Sequence, residues 1–495
     1  MKFATTFILA VLSLAILGCS STPKKTIDDA PPALTNGADQ AVNHAIDHGS
    51  MTGMSEEEHK KMMSQPGGSG DTDHTGHEGH HDHGAMPSNF GGPYQTMTAI
   101  GSGTSLIPAD SPAYMWHFNL FEDRARCMVH AELKASFNSQ GGPRGVSRFQ
   151  SQNWLMGSCE VPVFGDSAFQ FRAMLTAEPF TTPAGGVPQL FQTGETYGGR
   201  EIVDAQHPHN LFSEMSVAFT QRLSDHFRYY LYFGLPGDRE EGPTAFMHRA
   251  SALENPGVPL CHHCQDAGHI TNGVFSAGVE IDKLRIGASV FRGQEPGEDR
   301  YTISAGGFDS YSLRVQYAPT QNWVIGASYG RVHNAEPLHP GDMDRYTVFA
   351  QYSKRFDEGY VALSGVLGHN KESHGTLSGA LVEGTVNFYD RNYIYGRGEC
   401  VNKPGLTDSN IYGKAGLEHD EGGPGEEEHH VPLGNSTVCA LTAGYARDVY
   451  ASSLVRVGLG LDVTSYLVPK ELEPIYGSSP LSFMFNIRIR PGRVF

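Results

Sequence analysis

The chain has 495 residues, a formal charge of −18 and only 18% charged side chains, with 59 glycines. That acidic balance excludes nucleic acid as a partner, and the glycine content suits many short strands and turns better than a helical bundle. The length allows several small domains or one large barrel with appendages.

Met1 and Lys2 open a short basic region, and the apolar run from Phe7 to Leu17 is too short to remain as a membrane helix, so the start reads as a secretory signal. Its end, Ile16-Leu17-Gly18-Cys19, resembles the bacterial lipoprotein signal. The resemblance implies removal of residues 1–18 and lipidation of Cys19, and Ser20 implies the outer membrane. An ordinary export signal with a chance cysteine is the other reading.

Residues 19–93 are poor in aromatic and branched side chains and rich in Gly, Ser, Asp and His, too little apolar area to offset the entropy of ordering. They are expected to form a disordered tether. Its densest run carries His74, His77, His80, His81 and His83, and several methionines are interleaved nearby. Imidazoles and thioethers on a flexible tract suit copper or another transition metal; a solvated polar linker that tolerates histidine is the alternative. A Met- and His-rich segment placed before a carboxy-terminal barrel resembles the outer-membrane proteins of bacterial copper-resistance operons. That resemblance implies a role in metal tolerance.

From Ala125 onward, extended segments alternate. Cys127, Val129, Ala131 and Leu133 share one face and Arg126, His130, Glu132 and Lys134 the other; Arg172, Arg285 and Arg314 likewise oppose apolar neighbours. The cleanest case is Val455, Val457, Leu459, Leu461 and Val463 against Arg456, Gly458, Gly460 and Asp462. Alternation alone fits a soluble sandwich as well as a membrane barrel. Tight connections near Asp282, Pro319, Phe356 and Asp390 nonetheless take turns with long ones at 179–210, 236–272, 293–308 and 401–438, the pattern of outer-membrane barrels. The expected fold is therefore all-β: a transmembrane antiparallel barrel of about sixteen strands over residues 94–495. Arg126, Arg172, Arg285, Arg314 and Arg456 would line its lumen. Phe483, Phe485, Ile487, Ile489 and Phe495 resemble the final strand recognised by barrel-assembly machinery, although Pro491 and Arg493 interrupt the pattern.

Export implies an oxidising setting. Cys127 with Cys159 and Cys400 with Cys439 flank connections symmetrically, which favours those pairings, and leaves Cys261 with Cys264. In Cys261-His262-His263-Cys264 the thiols could instead be ligands of a soft metal, without the second pair that a zinc motif needs.

Two neighbouring long links concentrate the unusual residues. Asp204-Ala205-Gln206-His207-Pro208-His209-Asn210 sets His207 and His209 on one side of an extended stretch, where they could chelate one ion or anchor the loop. The next link carries His248, His262, His263 and His269. A shared metal site is one reading; buried imidazoles and arginines bonded to acids, plugging the barrel mouth, is the other. The Gln-His-Pro-His stretch resembles segments of uncharacterised bacterial barrel proteins and implies no activity. Ser213 lies near His209 but stands outside any Gly-x-Ser-x-Gly elbow, so an enzyme is not expected.

The function expected is an outer-membrane lipoprotein, anchored by its amino terminus on the periplasmic side, that binds or passes soft metal ions, copper first. The alternative is a porin-like channel for small solutes with an inert spacer, and an outer-membrane hydrolase ranks third. Expected partners are outer-membrane lipid and metal ions, with a homotrimer or metal-efflux components as further candidates.

Overall fold

A computed structural model describes residues 101–304, 306–336, 338, 340–372, 375–416 and 434–494. The signal 1–18, Cys19 and the tether with His74, His77, His80, His81 and His83 lie outside the described residues.

Among the described residues, sixteen antiparallel strands pair in a ring. The last long one, Leu481–Pro491, returns to Ala125–Ser139, with Phe483 opposite Ser139 and Ile489 opposite Leu133. That pairing closes the sheet and leaves no long edge exposed. The rest of the edge of Ala125–Ser139 is covered by one more strand, Ala113–Leu120, which pairs from Met115 opposite His130 to Leu120 opposite Ala125. This extra strand was not read from the sequence.

The wall is built the opposite way to a soluble sandwich. On Val455–Leu467, Leu461 is 51% exposed and Asp462 2%. Phe483, Phe485 and Ile487 on the next strand and Leu363 and Leu367 further round are exposed too. Outward apolar and inward polar residues define a wall whose solvent is lipid, so the chain forms a membrane-spanning barrel of the outer-membrane type. Connections are tight at one end, as between Phe356 and Gly359, and long at the other, as between Gly234 and Val274.

The lumen is filled by the chain itself. Segment 235–273 folds inward and meets the wall around most of its circumference. Glu240 Oε2 lies 2.7 Å from Arg314 Nη2 and Glu241 Oε1 2.8 Å from Arg345 Nη1. The Glu254 carboxylate pairs with Arg488 and Arg490. Lys134 Nζ donates to the Leu253 carbonyl (2.6 Å), Gln152 to that of Pro256 (2.6 Å) and Arg397 to that of Gly257 (2.8 Å). A second stretch, 101–112, also lies inside, where Thr104 donates to Glu240 at 2.5 Å and Asp110 receives Arg355 at 2.6 Å. At the long-link end an inner hairpin, Val187–Tyr197 with Arg200–Gln206, packs Leu190 and Phe191 against Leu260, Tyr466 and Tyr476.

All five arginines expected in the lumen point inward, and each has an acidic partner. Arg126 pairs with Glu160 and Arg285 with Glu280 along the wall, and Arg172 lies 3.4 Å from Glu214. Arg314 holds Glu240 of the internal segment, and Arg456 holds Asp448 at 2.9 Å and Asp390 at 2.7 Å. The three disulfides are Cys127–Cys159, Cys261–Cys264 and Cys400–Cys439. Cys127 faces Cys159 and Cys400 faces Cys439 in register on adjacent strands, with Cα atoms 4.1 and 4.0 Å apart.

Candidate functional site

The histidines singled out in the two long links come together inside the mouth of the barrel. Ring centroids of His207 and His263 are 5.5 Å apart, of His262 and His263 5.3 Å, of His262 and His269 5.2 Å, and of His209 and His269 5.5 Å. His248 departs from the group. Its ring lies 4.8 Å from that of Trp154 and 5.9 Å from that of His130, a wall histidine that sequence reasoning had placed on the polar face without assigning it a role.

His207 and His209 do not share a ligand position. His207 Nε2 lies 3.0 Å from Glu195 Oε1 on the inner hairpin. The backbone N–H and Nδ1 of His209 both reach Glu178 Oε2, at 2.8 and 2.9 Å. The Pro208 geometry therefore ties one loop to two carboxylates, and the anchoring alternative describes it better than chelation by the pair. Ser213 Oγ donates to the Asn210 carbonyl (3.1 Å), a loop cap in place of a nucleophile facing an imidazole.

Cys261 and Cys264 are joined, so the thiolate reading of that segment is corrected: the helical turn His262–Gln265 brings their side chains together, and a disulfide sulfur is not an anionic ligand. His262 Nδ1 lies 2.6 Å from Asp266 Oδ1, and His269 Nδ1 lies 3.0 Å from the Asp266 carbonyl. The second Asp266 oxygen receives Arg249, whose Nε reaches Glu383 Oε1 on the wall at 2.8 Å. The imidazoles are thus connected to the barrel wall through a buried chain of charges.

Burial and neighbours sort these rings by charge. Burial draws His207 down to about 4 despite Glu195, and it depresses His248, His262 and His269 as well. Burial also opposes charging of His209 and His263, but Glu178 beside the first and Glu295 beside the second outweigh it and raise both. The buried Nε2 atoms of His209 and His269 and both ring nitrogens of His263 lack hydrogen-bond partners. Such orphaned polar atoms are rare in folded proteins.

One group among the described residues brings three ligand atoms within 4.8 Å of one another: His263, Glu295 and Glu336. Burial, with the Glu295 charge added, pushes the Glu336 carboxyl up to about 7. The two glutamates were missed from sequence. Neither carries a ligand motif in its link, and only the adjacency of the links 292–309 and 334–341 on neighbouring strands could have pointed to them.

No family model matches the chain, and no curated relative matches it. Among solved structures, OprB of Pseudomonas putida is similar with a TM-score of 0.45 and 11% identity, covering 78% of this chain and 94% of that one. OmpF of Salmonella typhi, solved in complex with daunomycin, gives 0.43 and 10%, covering 75% and 100%. OmpT of Vibrio cholerae gives 0.41 and 10%, again covering 75% and 100%. No activity is carried across from them.

Proposed function

We propose that the chain is a porin-like conduit of the outer membrane for small polar solutes, closed at rest by its own segment 235–273. The observation that supports this reading is the chemistry of the seal. Glu240, Glu241, Arg249 and Glu254 meet Arg314, Arg345, Glu383 and Arg490 through ion pairs, while the apolar side chains of the wall face outward. A polar lumen can exchange a polar peptide for water without exposing an apolar core, because water replaces the lost hydrogen bonds. Displacing the segment would leave a hydrated passage.

The test is ion conductance in planar bilayers. The full chain is expected to conduct rarely, and a variant with residues 239–270 replaced by a short Gly-Ser link to conduct steadily. A shortened variant that folds and stays silent overturns the reading. Assembly as a trimer, common among porins of this size, belongs to the same proposal and is checked by sedimentation in detergent.

A second reading, binding or passing soft metal ions with copper first, is favoured by one feature of the lumen. Met115, Met128, Met156 and Met174 are buried around Trp154 with Met247 packed beside them. His130 lies in register with both Met115 and Met156, and its ring neighbours that of His248. Thioethers next to imidazoles suit copper(I). Silver(I) binding that falls when Met128 and Met156 are both replaced by Leu would support it; unchanged binding would leave these methionines as packing. Lipid anchoring through Cys19, capture by the His-rich tether and contact with metal-efflux components belong to this second reading.

A further inference from the structure

Three separate pieces of chain meet at the long-link mouth. His263 comes from the internal segment, Glu295 from the link 292–309 and Glu336 from the link 334–341. The two links are set side by side, since the Glu295 N–H donates to the Ala335 carbonyl at 3.0 Å. The inner hairpin lies so close over the imidazole that a Cβ on Gly194 would stand 2.5 Å from His263 Nε2.

Within this junction the polar groups are left wanting. His263 is buried, with a side chain 7% exposed, and neither ring nitrogen has a hydrogen-bond partner. Nδ1 lies 3.5 Å from Glu295 Oε2, beyond the usual range for a nitrogen-to-oxygen bond, and that oxygen has no other partner. A buried acceptor or donor left unpaired costs about 1–3 kcal/mol. The guanidinium of Arg345 stands 3.8 Å from Glu295 Oε1 and makes its shorter contact with Glu241 at 2.8 Å. Two carboxylates and an imidazole converge within 4.8 Å.

We propose that His263, Glu295 and Glu336 hold a divalent first-row transition cation that staples the internal segment to two external links. One nitrogen and two carboxylate oxygens form a donor set of borderline hardness, suited to zinc, iron or manganese more than to soft copper(I). Three protein ligands leave a position for water, as in open zinc sites. Both glutamates are partly exposed. The site fixes the segment in place whatever passes the lumen, so this inference stands apart from the conduit reading.

The experiment uses the full chain in detergent, stripped with a chelator and then given zinc. Bound zinc is measured by equilibrium dialysis, and backbone hydrogen exchange is followed with and without the metal. The His-rich tether also takes up zinc, so the decisive quantity is the difference between wild type and H263Q or E336Q. Each variant is expected to bind about one equivalent less. Zinc is expected to slow exchange near residues 261–269, 293–298 and 335–336 in wild type and not in the variants. An unchanged zinc count in both variants, or slowing that persists in them, overturns the proposal. Heat-dependent mobility on gels shows whether each barrel is folded. If H263Q fails that check, E336Q, which alters a partly exposed side chain, decides alone. A shortened variant that folds and stays silent, with zinc protection intact in the full chain, would sink the conduit and spare the staple.

Discussion

Arg249 Nε lies 2.8 Å from Glu383 Oε1, and both side chains are 1% exposed. This contact links the middle of the internal segment to the barrel wall far from either mouth. Glu383 also accepts from Arg397 at 2.9 Å, and Arg249 also holds Asp266, so one wall carboxylate and one segment guanidinium are shared across three elements.

Glu383→Gln is therefore expected to loosen the segment more than any rim substitution. Removing one partner of a buried pair strands the other charge and costs about 3–5 kcal/mol. Urea unfolding of the variant in detergent should show a lower midpoint, and bilayer recordings should show longer open times than wild type. Equal midpoints and equal open times would mean that the segment is held by other contacts.

The His209–Glu178 pair gives a pH dependence. The folded-state value of His209 is raised above its ordinary 6.5, so the pair's contribution is full below that value and is lost as pH rises through the raised one. Glu178 is lowered despite burial, because His209 faces it, so its share is present above its ordinary 4.5 and lost as pH falls through the depressed value. The link 207–211 should be best protected between these limits. Hydrogen exchange of that link in wild type should speed up beyond the intrinsic rate as pH rises above the ordinary 6.5 and through the raised value of His209. Glu178→Gln should abolish the excess. An identical profile in the variant would remove the pair as the cause.

The barrel wall was legible because lipid and lumen impose a strict period of two on each strand. Arg456 and Asp462 against Leu459 and Leu461 announce two faces, and short connections alternating with long ones say which ends join. The fate of segment 235–273 was not legible. Its Asp238-Arg239-Glu240-Glu241 run suits external water as well as a polar lumen. Its partners Arg314, Arg345 and Glu383 are scattered over three strands, each of which reads as an ordinary alternating wall. The histidine cluster was half legible: two adjacent links announced their imidazoles, but Glu178, Glu195, Glu295 and Glu336, which decide the charge and orientation of the rings, carry no local pattern.

The disulfides should differ in weight. Cys400–Cys439 closes a separation of 39 residues and Cys261–Cys264 one of 3. Chain-entropy arguments give about 4 kcal/mol for the first and about 2 kcal/mol for the second. Replacing the first pair by serines should lower the urea midpoint by more than replacing the second. The reverse order would show that the short bridge matters through its packing, where Cys261 and Cys264 lie buried with Leu260 and Phe191.

Gly194→Ala probes the mouth without removing a polar group. The backbone there has φ +123°, a conformation that an L side chain rarely adopts, and the added Cβ would stand 2.5 Å from both Cδ2 and Nε2 of His263. The imidazole ring must move, since that separation is far inside van der Waals contact. Strain of this kind costs about 1–3 kcal/mol. Because His263 faces Glu295 and Glu336, the displacement should also weaken zinc binding at the mouth by about tenfold or more, the scale on which disturbing the groups that orient a metal ligand acts. Comparing zinc titrations of wild type and the variant, both folded by gel mobility, measures this. A destabilised variant with unaltered zinc affinity would show that the ring shifts without serving as a ligand, and would place the contact of Gly194 with His263 among packing interactions.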